Sequence, residues 1–243
     1  MANWLCRRNG RFVNTGRLFG TYLRASRWEY NVQRFRWKKE MDNVSGPATE
    51  QFLQRGRGWM GYPGPGWRRL LVRMPLLYWR LGLKPLMVRA RLFRFLVLTT
   101  KGRKSGQACH TMLAHFVMDG GIYIGAGWGQ RTHWYQNILS DPRVTVQARG
   151  PAFGALARLI TDDELRRLYW HLRKQGPLWM WKRSLDSWDI RDEVGDFVAK
   201  KGRIPFLRLD PLRECPLPPL RTNLVWVWPV LAIAAVAAYV LLR

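Results

Sequence analysis

A cationic turn is the first segment of the sequence that could bind a ligand. Residues 99–106 read Thr-Thr-Lys-Gly-Arg-Lys-Ser-Gly. Glycines let backbone amides approach an anion closely, and an arginine can hold phosphate or carboxylate with two hydrogen bonds. The long glycine spacing of a Walker A loop is absent. Two interpretations stay open, an anion-binding turn and a solvated hairpin tip. The candidate anion-binding residues are Lys101, Arg103, Lys104, Ser105 and Gly106.

A second segment combines small residues with aromatic ones. Residues 125–137 read Gly-Ala-Gly-Trp-Gly-Gln-Arg-Thr-His-Trp-Tyr-Gln-Asn. Small residues give a flat backbone surface on which a planar ring can rest, and aromatic side chains can supply stacking walls. For Trp134 and Tyr135 the alternative is core packing beneath a short helix. The candidate ring-binding residues are Gly127, Trp128, Gly129, Trp134 and Tyr135, with Trp134 and His133 as candidates that face the ring or substrate.

The histidines and cysteines of the central region do not form a metal-binding pattern. His110, His115, His133, His171 and Cys109 lack the spacing of known ligand sets. We therefore predict no metal site.

Short apolar runs between turn residues indicate the elements that must position both segments. Several short strands at close spacing are typical of a barrel or sandwich. Asp119-Gly120-Gly121 is a hairpin turn signal between two of the strands. The predicted strands are Phe95–Thr100, Thr111–Met118, Ile122–Ala126, Val144–Ala148, Phe153–Ile160 and Ile204–Leu209.

Three helices are predicted around these strands. Apolar residues at helical spacing favour a basic amphipathic helix from Trp67 to Leu81, ended by Gly82. A second helix is predicted over His133–Leu139, and a third is opened by a capping box, Thr161 to Glu164. Together the elements predict an α+β barrel domain over residues 61–214.

The C-terminal segment, residues 215–243, is predicted to be a linker and a membrane anchor. An apolar stretch runs without interruption from Leu224 to Leu242, which is close to the length that spans a bilayer. Flanking arginines resist translocation. We therefore expect a single transmembrane helix, with the barrel domain in the cytoplasm and membrane lipid as a partner.

The N-terminal residues 1–60 are predicted to form a basic arm and linker. The chain carries 41 Lys plus Arg against 16 Asp plus Glu, a formal net charge of +25. Such a charge favours polyanionic partners. The arm could lie on a membrane, be a targeting peptide or bind nucleic acid, and Met41 could be the true start. Nucleic acid is the weakest of these partners because no recognition module accompanies the charge.

Several motifs in one order resemble the deazaflavin-dependent nitroreductase family. They are Leu83-Lys84-Pro85-Leu86, the run Leu98 to Gly106, Trp128-Gly129, Trp134-Tyr135-Gln136-Asn137, Asp141-Pro142-Arg143-Val144 and Arg203-Ile204-Pro205. The resemblance covers residues 68–211. It implies a split β-barrel, related to FMN-binding barrels, that holds coenzyme F420, an 8-hydroxy-5-deazaflavin. It also implies hydride transfer to quinones, nitro compounds or other activated acceptors.

The resemblance assigns roles to individual residues. Arg103, Lys104 and Ser105 would hold the phosphate and acidic tail of the coenzyme. The ring would lie along Gly127, Trp128 and Gly129, with Trp134 facing the ring or substrate. The family turn usually continues to a proline and an arginine, where this chain has Ala108 and Cys109. FMN therefore stays open as the alternative cofactor.

The function predicted from the sequence is that of a membrane-anchored F420-dependent oxidoreductase. The alternatives are a non-catalytic membrane-complex subunit that retains the barrel and an FMN-binding protein of related fold. Relatives of this fold often pair, but nothing in the sequence requires a homodimer.

Overall fold

The computed structural model describes residues 67–83, 95–148, 150–212 and 214–241. Six antiparallel strands form a closed barrel in the order β1-β2-β3-β6-β5-β4. The strands are β1 Phe95–Lys101, β2 Ala108–Met118, β3 Gly121–Gly125, β4 Arg143–Gln147, β5 Phe153–Leu159 and β6 Phe206–Leu212. The helices are α1 Trp67–Arg80, α2 His133–Ser140, α3 Asp162–Arg173, α4 Leu178–Ser187, α5 Val194–Ala199 and α6 Val227–Leu241.

The long strand β2 pairs with a different strand along each of its halves. Its first half pairs with β1, from Ala108 opposite Lys101 to Ala114 opposite Phe95. Its second half pairs with β3, where His115 lies opposite Ile124. Within the described chain, the first half of β2 therefore has a strand neighbour on one side only. Among the described residues, β2 and β3 pair only from His115 to Met118, away from the cationic turn.

Two apolar clusters make up the core. The first joins the strands to α2 and is formed by Leu96, Leu98, Ile124, Val144, Val146, Leu207 and Leu209 together with Trp134, Tyr135 and Ile138. The second packs α3, α4 and α5 against β3 and β6 through residues such as Tyr169, Trp181, Leu185, Phe197 and Phe206. Helices α3, α4 and α5 therefore cover an outer face of the barrel, whereas α2 packs with the strand core.

A buried ionic network fixes the start of α3 to the sheet. Thr161 and Glu164 form the predicted capping box. The Glu164 carboxylate also accepts hydrogen bonds from Arg158 of β5 at 2.7 and 2.8 Å and from Arg208 of β6 at 3.0 Å. These bonds, led by those from Arg158, lower the pKa of Glu164 to about 2. The helix is thus held by charge as well as by packing.

The predicted α+β barrel is confirmed, and all six predicted strands are present. The strand boundaries differ most at β2 and β6. Strand β2 begins three residues earlier, at Ala108, because its first residues pair with the end of β1, and β6 begins two residues later and ends three residues later than predicted. The turn at Asp119 and Gly120 has the positive φ angles, 50° and 71°, of a tight hairpin. Helices α4 and α5 were not predicted.

The predicted transmembrane helix is not supported. Helix α6 has 15 residues, which at about 1.5 Å per residue is well short of the roughly 30 Å of a bilayer core. Within the described ranges, no helix combines the length and apolarity that a membrane crossing needs. The first residues of the apolar run instead contact the end of α1, since Leu224 N donates to Arg80 O at 3.0 Å and Trp228 Nε1 donates to Leu81 O at 2.9 Å.

The segment between β6 and α6 lies on the barrel. Thr145 Oγ1 donates to Leu217 O at 2.7 Å and accepts from Leu217 N at 3.2 Å. Gln147 makes the same pair of bonds with the backbone of Leu220. We call residues 214–224 the strap. The strap covers the outer face of β4, so the predicted linker is a packed part of the structure.

The N-terminal arm, the alternative start at Met41 and the glycine-rich linker before α1 lie outside the described residues.

Candidate functional site

The cationic turn is a tight, exposed loop between β1 and β2. Gly102 N donates to Gln107 O at 2.8 Å, and Gly106, with a φ of 68°, donates back to Gly102 O at 2.7 Å. The side chains of Lys101, Arg103 and Lys104 are exposed. None of the three forms an ion pair with a described residue. Three cations are therefore available to an external anion.

Asn137 fixes this turn to helix α2. Its side-chain amide donates to Thr100 Oγ1 at 3.1 Å, and its Oδ1 accepts from the backbone amide of Arg103 at 3.2 Å. Asn137 is only 4% exposed, and its bond to Thr100 is buried. The structure thus joins the two segments that the sequence singled out.

The segment Gly125–Gly129 forms a shelf that follows β3. Ile124, just before it, pairs with His115 of β2, so the shelf begins more than halfway along β2 from the cationic turn. Ala126 N donates to Pro205 O at 3.0 Å, and Gly129 turns at a φ of 68°. A Cβ added at Gly125 would lie 2.6 Å from Phe206 Cε1. Because Gly125 has no side chain, the Phe206 ring can lie directly on the Gly125 backbone.

An apolar cleft of about 580 Å³ opens beside the shelf. Ala114, Gly125 and Gly127 supply small residues to its lining, while His115 is its titratable side chain. Its larger wall residues are Phe116, Met180, Trp181, Trp188, Phe197, Ile204 and Phe206. A planar apolar ring would find a small-residue surface on one side and aromatic side chains on the other.

Asp192 holds the aromatic wall in place. Its Oδ1 accepts from Tyr169 Oη at 2.6 Å and from Trp181 Nε1 at 2.8 Å. Burial opposes the charge of Asp192, but these hydrogen bonds outweigh it and lower the pKa of its carboxyl. Burial, together with the bond to Asp192, raises the pKa of Tyr169 to about 12. The wall is therefore a fixed arrangement at neutral pH.

The predicted aromatic candidates divide into two groups. Trp134 is 6% exposed and Tyr135 is 0% exposed, and their rings contact edge to face at 5.9 Å within the barrel core. Burial raises the pKa of the Tyr135 phenol far above its usual range. This placement favours the core-packing alternative for both residues. Trp128 is half-buried on the shelf, and His133 is exposed at the start of α2.

Two further side chains, Ser105 in the turn and Cys109 at the start of β2, bond to the turn itself. Ser105 Oγ accepts from Gln107 N at 3.3 Å. The half-buried thiol of Cys109 donates to Gln107 O at 3.7 Å, so it is directed at the turn's own backbone. Neither contact blocks the exposed cations.

The cleft walls are the functional feature that the sequence did not predict. Trp181 and Trp188 are separated in sequence from the shelf and meet it only through the fold. The tryptophan-rich composition of residues 170–188 was the available signal, because tryptophan favours the edges of ligand pockets.

The turn and the cleft together fit an elongated molecule with an anionic tail and a planar head. The turn residues do not line the cleft. The strand from Ala108 to Ala114 separates them, a distance of about 20 Å at roughly 3.3 Å per residue. This geometry suits coenzyme F420, whose phosphate-bearing tail would be held by the turn and whose deazaflavin ring would lie at the shelf.

A family model described as F420H(2)-dependent quinone reductase matches residues 86–184. Over these residues the barrel segment is similar to this family. The family predicted from the motifs is thereby confirmed, and so are the predicted enzyme class, an F420-dependent oxidoreductase, and the predicted coenzyme. The matched residues include the cationic turn, the shelf and α2, and they end within α4.

Solved structures resemble the barrel at low overall similarity. A conserved hypothetical protein, Rv2991, from Mycobacterium tuberculosis is 20% identical, with a TM-score of 0.35, over 54% of this chain and 81% of its own. An F420-H2 dependent reductase, FDR-A, is 24% identical, with a TM-score of 0.31, over 48% of this chain and 94% of its own. Likenesses of this size carry no argument about function.

Proposed function

We propose that the protein transfers a hydride from reduced coenzyme F420 to a quinone or similarly activated acceptor in the apolar cleft. One observation carries the proposal. Asn137 fixes a turn with three exposed cations at one end of β2, and the glycine shelf borders the aromatic cleft beside the other half of the same strand. A basic tail site and an apolar head site are the two recognition features that the coenzyme requires.

The chain's own contribution is binding, orientation and exclusion of water. Arg103 and Lys104 would hold the anionic tail through charge-assisted hydrogen bonds. The small residues of the shelf would allow a planar ring to approach the backbone, and the aromatic wall would keep bulk water from it. Reduced F420, when bound, supplies the hydride. Reduction of a quinone also consumes a proton, which solvent or His115 of the cleft lining would supply.

The test is steady-state turnover with reduced F420 and a soluble quinone under anaerobic conditions, followed by the absorbance of the oxidised coenzyme. We expect turnover with reduced F420 and none with reduced FMN. Substitution Arg103→Gln should raise KM for F420 by about tenfold while kcat changes little, because the lost contact is remote from the ring.

Arg166→Gln is the matched control, because Arg166 is an exposed arginine on α3, away from the turn. It should leave both constants unchanged. Absence of turnover with every quinone and nitro acceptor, together with absence of saturable F420 binding, would refute the proposed function.

Contact with membrane lipid stays a proposal. Its support is the set of exposed apolar side chains on and before α6, which are Val225, Trp226, Trp228, Val230, Leu231, Ile233, Val236 and Tyr239. Exposed apolar surface of this extent is typical of an interaction site. Flotation of the full chain with anionic vesicles tests it. We expect co-flotation that Ile233→Asp reduces, whereas equal flotation of both proteins would contradict lipid contact through α6.

A further inference from the structure

Trp188, at the end of α4, lies against the glycine shelf. Its indole Nε1 donates to Gly127 O at 3.0 Å. Its Cζ2 lies 3.9 Å from the position that a Cβ of Gly127 would occupy, so the ring and the shelf are in van der Waals contact. Trp188 and Gly127 both line the cleft. This indole therefore forms the border of the cleft at the shelf.

The backbone that carries Trp188 is in an unusual conformation. Asp189, the next residue, has a φ of 54°, which is uncommon for a residue other than glycine. Such a conformation persists only where surrounding contacts hold it. The end of α4 is therefore a place where neighbouring side chains determine the direction of the tryptophan.

Arg203 supplies those contacts. Its Nη1 donates to Trp188 O at 3.1 Å, to Asp189 O at 2.6 Å and to Asp189 Oδ2 at 2.7 Å. Lys200 Nζ adds a bond to Asp189 O at 2.7 Å. Only 14% of the Arg203 side chain is exposed. One guanidinium thus caps the end of the helix and fixes the left-handed turn.

The segment Arg203-Ile204-Pro205 connects both sides of the cleft. Pro205 O accepts from Ala126 N of the shelf at 3.0 Å, while Arg203 holds the end of α4. Ile204 lines the cleft between them. Three consecutive residues therefore hold the shelf and the tryptophan that faces it.

We propose that Trp188 is the side chain that selects the planar head of the coenzyme, and that Arg203 is the positioning residue that holds Trp188 over Gly127. This inference rests on the proposed function. The sequence singled out the Arg203 motif without a role. The inference assigns to it the placement of the indole that borders the cleft at the shelf.

The test uses the full chain and two measurements. The exchange rate of the Trp188 indole proton is measured by NMR, with its signal identified by its loss in Trp188→Phe. Affinity is measured by calorimetry for F420 and for its phosphate-free deazaflavin head. In Arg203→Gln we expect indole exchange to be at least about tenfold faster and affinity for the head to fall by about tenfold, as for loss of a charge-assisted hydrogen bond.

Arg203→Lys, which retains one charged donor, should give intermediate values. Trp188→Phe should also weaken binding of the head. The matched control is Arg183→Gln, which removes an exposed arginine from the same helix. It should match wild type in both measurements. A thermal melt of each variant establishes that it is folded. If Arg203→Gln does not fold, the same measurements on Arg203→Lys and Trp188→Phe decide the test.

The outcomes separate the two proposals. If wild type binds F420 but Arg203→Gln and Trp188→Phe bind the head as tightly as Arg183→Gln, the inference is overturned while the proposed function stands. If wild type binds neither molecule, the proposed function fails and ring selection by Trp188 fails with it. In that case unchanged indole exchange in Arg203→Gln would also refute the positioning role.

Discussion

Substitution Glu164→Gln tests how the helical wall of the cleft is attached to the barrel. The Glu164 side chain is 7% exposed and lies between Arg158 and Arg208. Glutamine retains an oxygen that can accept the capping-box bond from the Thr161 amide. The substitution therefore removes the negative charge while the helix start keeps its cap.

The shift in the pKa of Glu164 sets the size of the effect. A decrease from 4.5 to about 2 corresponds to at most about 3 kcal/mol of stabilisation by the charged form. The two arginines are 36% and 31% exposed, so water screens part of this interaction. We therefore expect Glu164→Gln to lower the free energy of unfolding by about 2 kcal/mol at neutral pH.

The dependence on pH has a defined sign. Because the pKa is lower in the folded state, the stabilisation is complete above about pH 4.5 and is lost as the pH falls towards about 2. The free energy of unfolding is measured in urea by far-ultraviolet circular dichroism. The difference between wild type and Glu164→Gln should fall at pH 3 to less than about half of its value at neutral pH.

Asp163→Asn is the control for Glu164→Gln, since it removes an exposed carboxylate from the same helical turn. It should change stability by less than about 0.5 kcal/mol. A difference between wild type and Glu164→Gln that is below that value, or that does not vary with pH, would refute the role assigned to the network.

Three further predictions concern the turn and the strap. Asn137→Ala should weaken F420 binding by about tenfold in calorimetry, because two buried hydrogen bonds that position the turn are lost; unchanged affinity would contradict its positioning role. Gly154→Ala should destabilise the fold by about 1–3 kcal/mol in urea unfolding, because its Cβ would lie 1.8 Å from Glu214 O, whereas Gly150→Ala, in open space, serves as the control. Thr145→Val should speed hydrogen exchange of the Leu217 amide, which loses its acceptor, and equal exchange would show that the strap is held elsewhere.

Local patterns predicted the parts of the fold that depend on neighbouring residues. Short apolar runs between turn residues predicted the six strands. The turn at Asp119-Gly120 and the capping box at Thr161 depend on contacts within four residues. The strap required information that the sequence does not carry locally. Its bonds to Thr145 and Gln147 join residues more than 70 positions apart.

The candidate site was predicted only in part, because some of its residues meet through the fold and not through local sequence. Cations and glycines in the turn identify an anion site from their chemistry alone. The inward placement of Trp134 and Tyr135 could not be predicted, because an aromatic pair after a glycine-rich segment suits a ligand wall as well as a barrel core. Trp188 reaches Gly127 across 61 positions, so only the fold identifies it as a wall of the cleft.

Calorimetric titration of the protein with F420 and with its phosphate-free head tests the central claim most directly. If the turn holds the tail and the shelf holds the ring, wild type should bind F420 at least about tenfold more tightly than the head alone, and the difference should shrink at high salt. Arg103→Gln should reduce that difference while affinity for the head stays constant. Equal affinity of wild type for both molecules would contradict the claim that the turn and the shelf bind one elongated coenzyme.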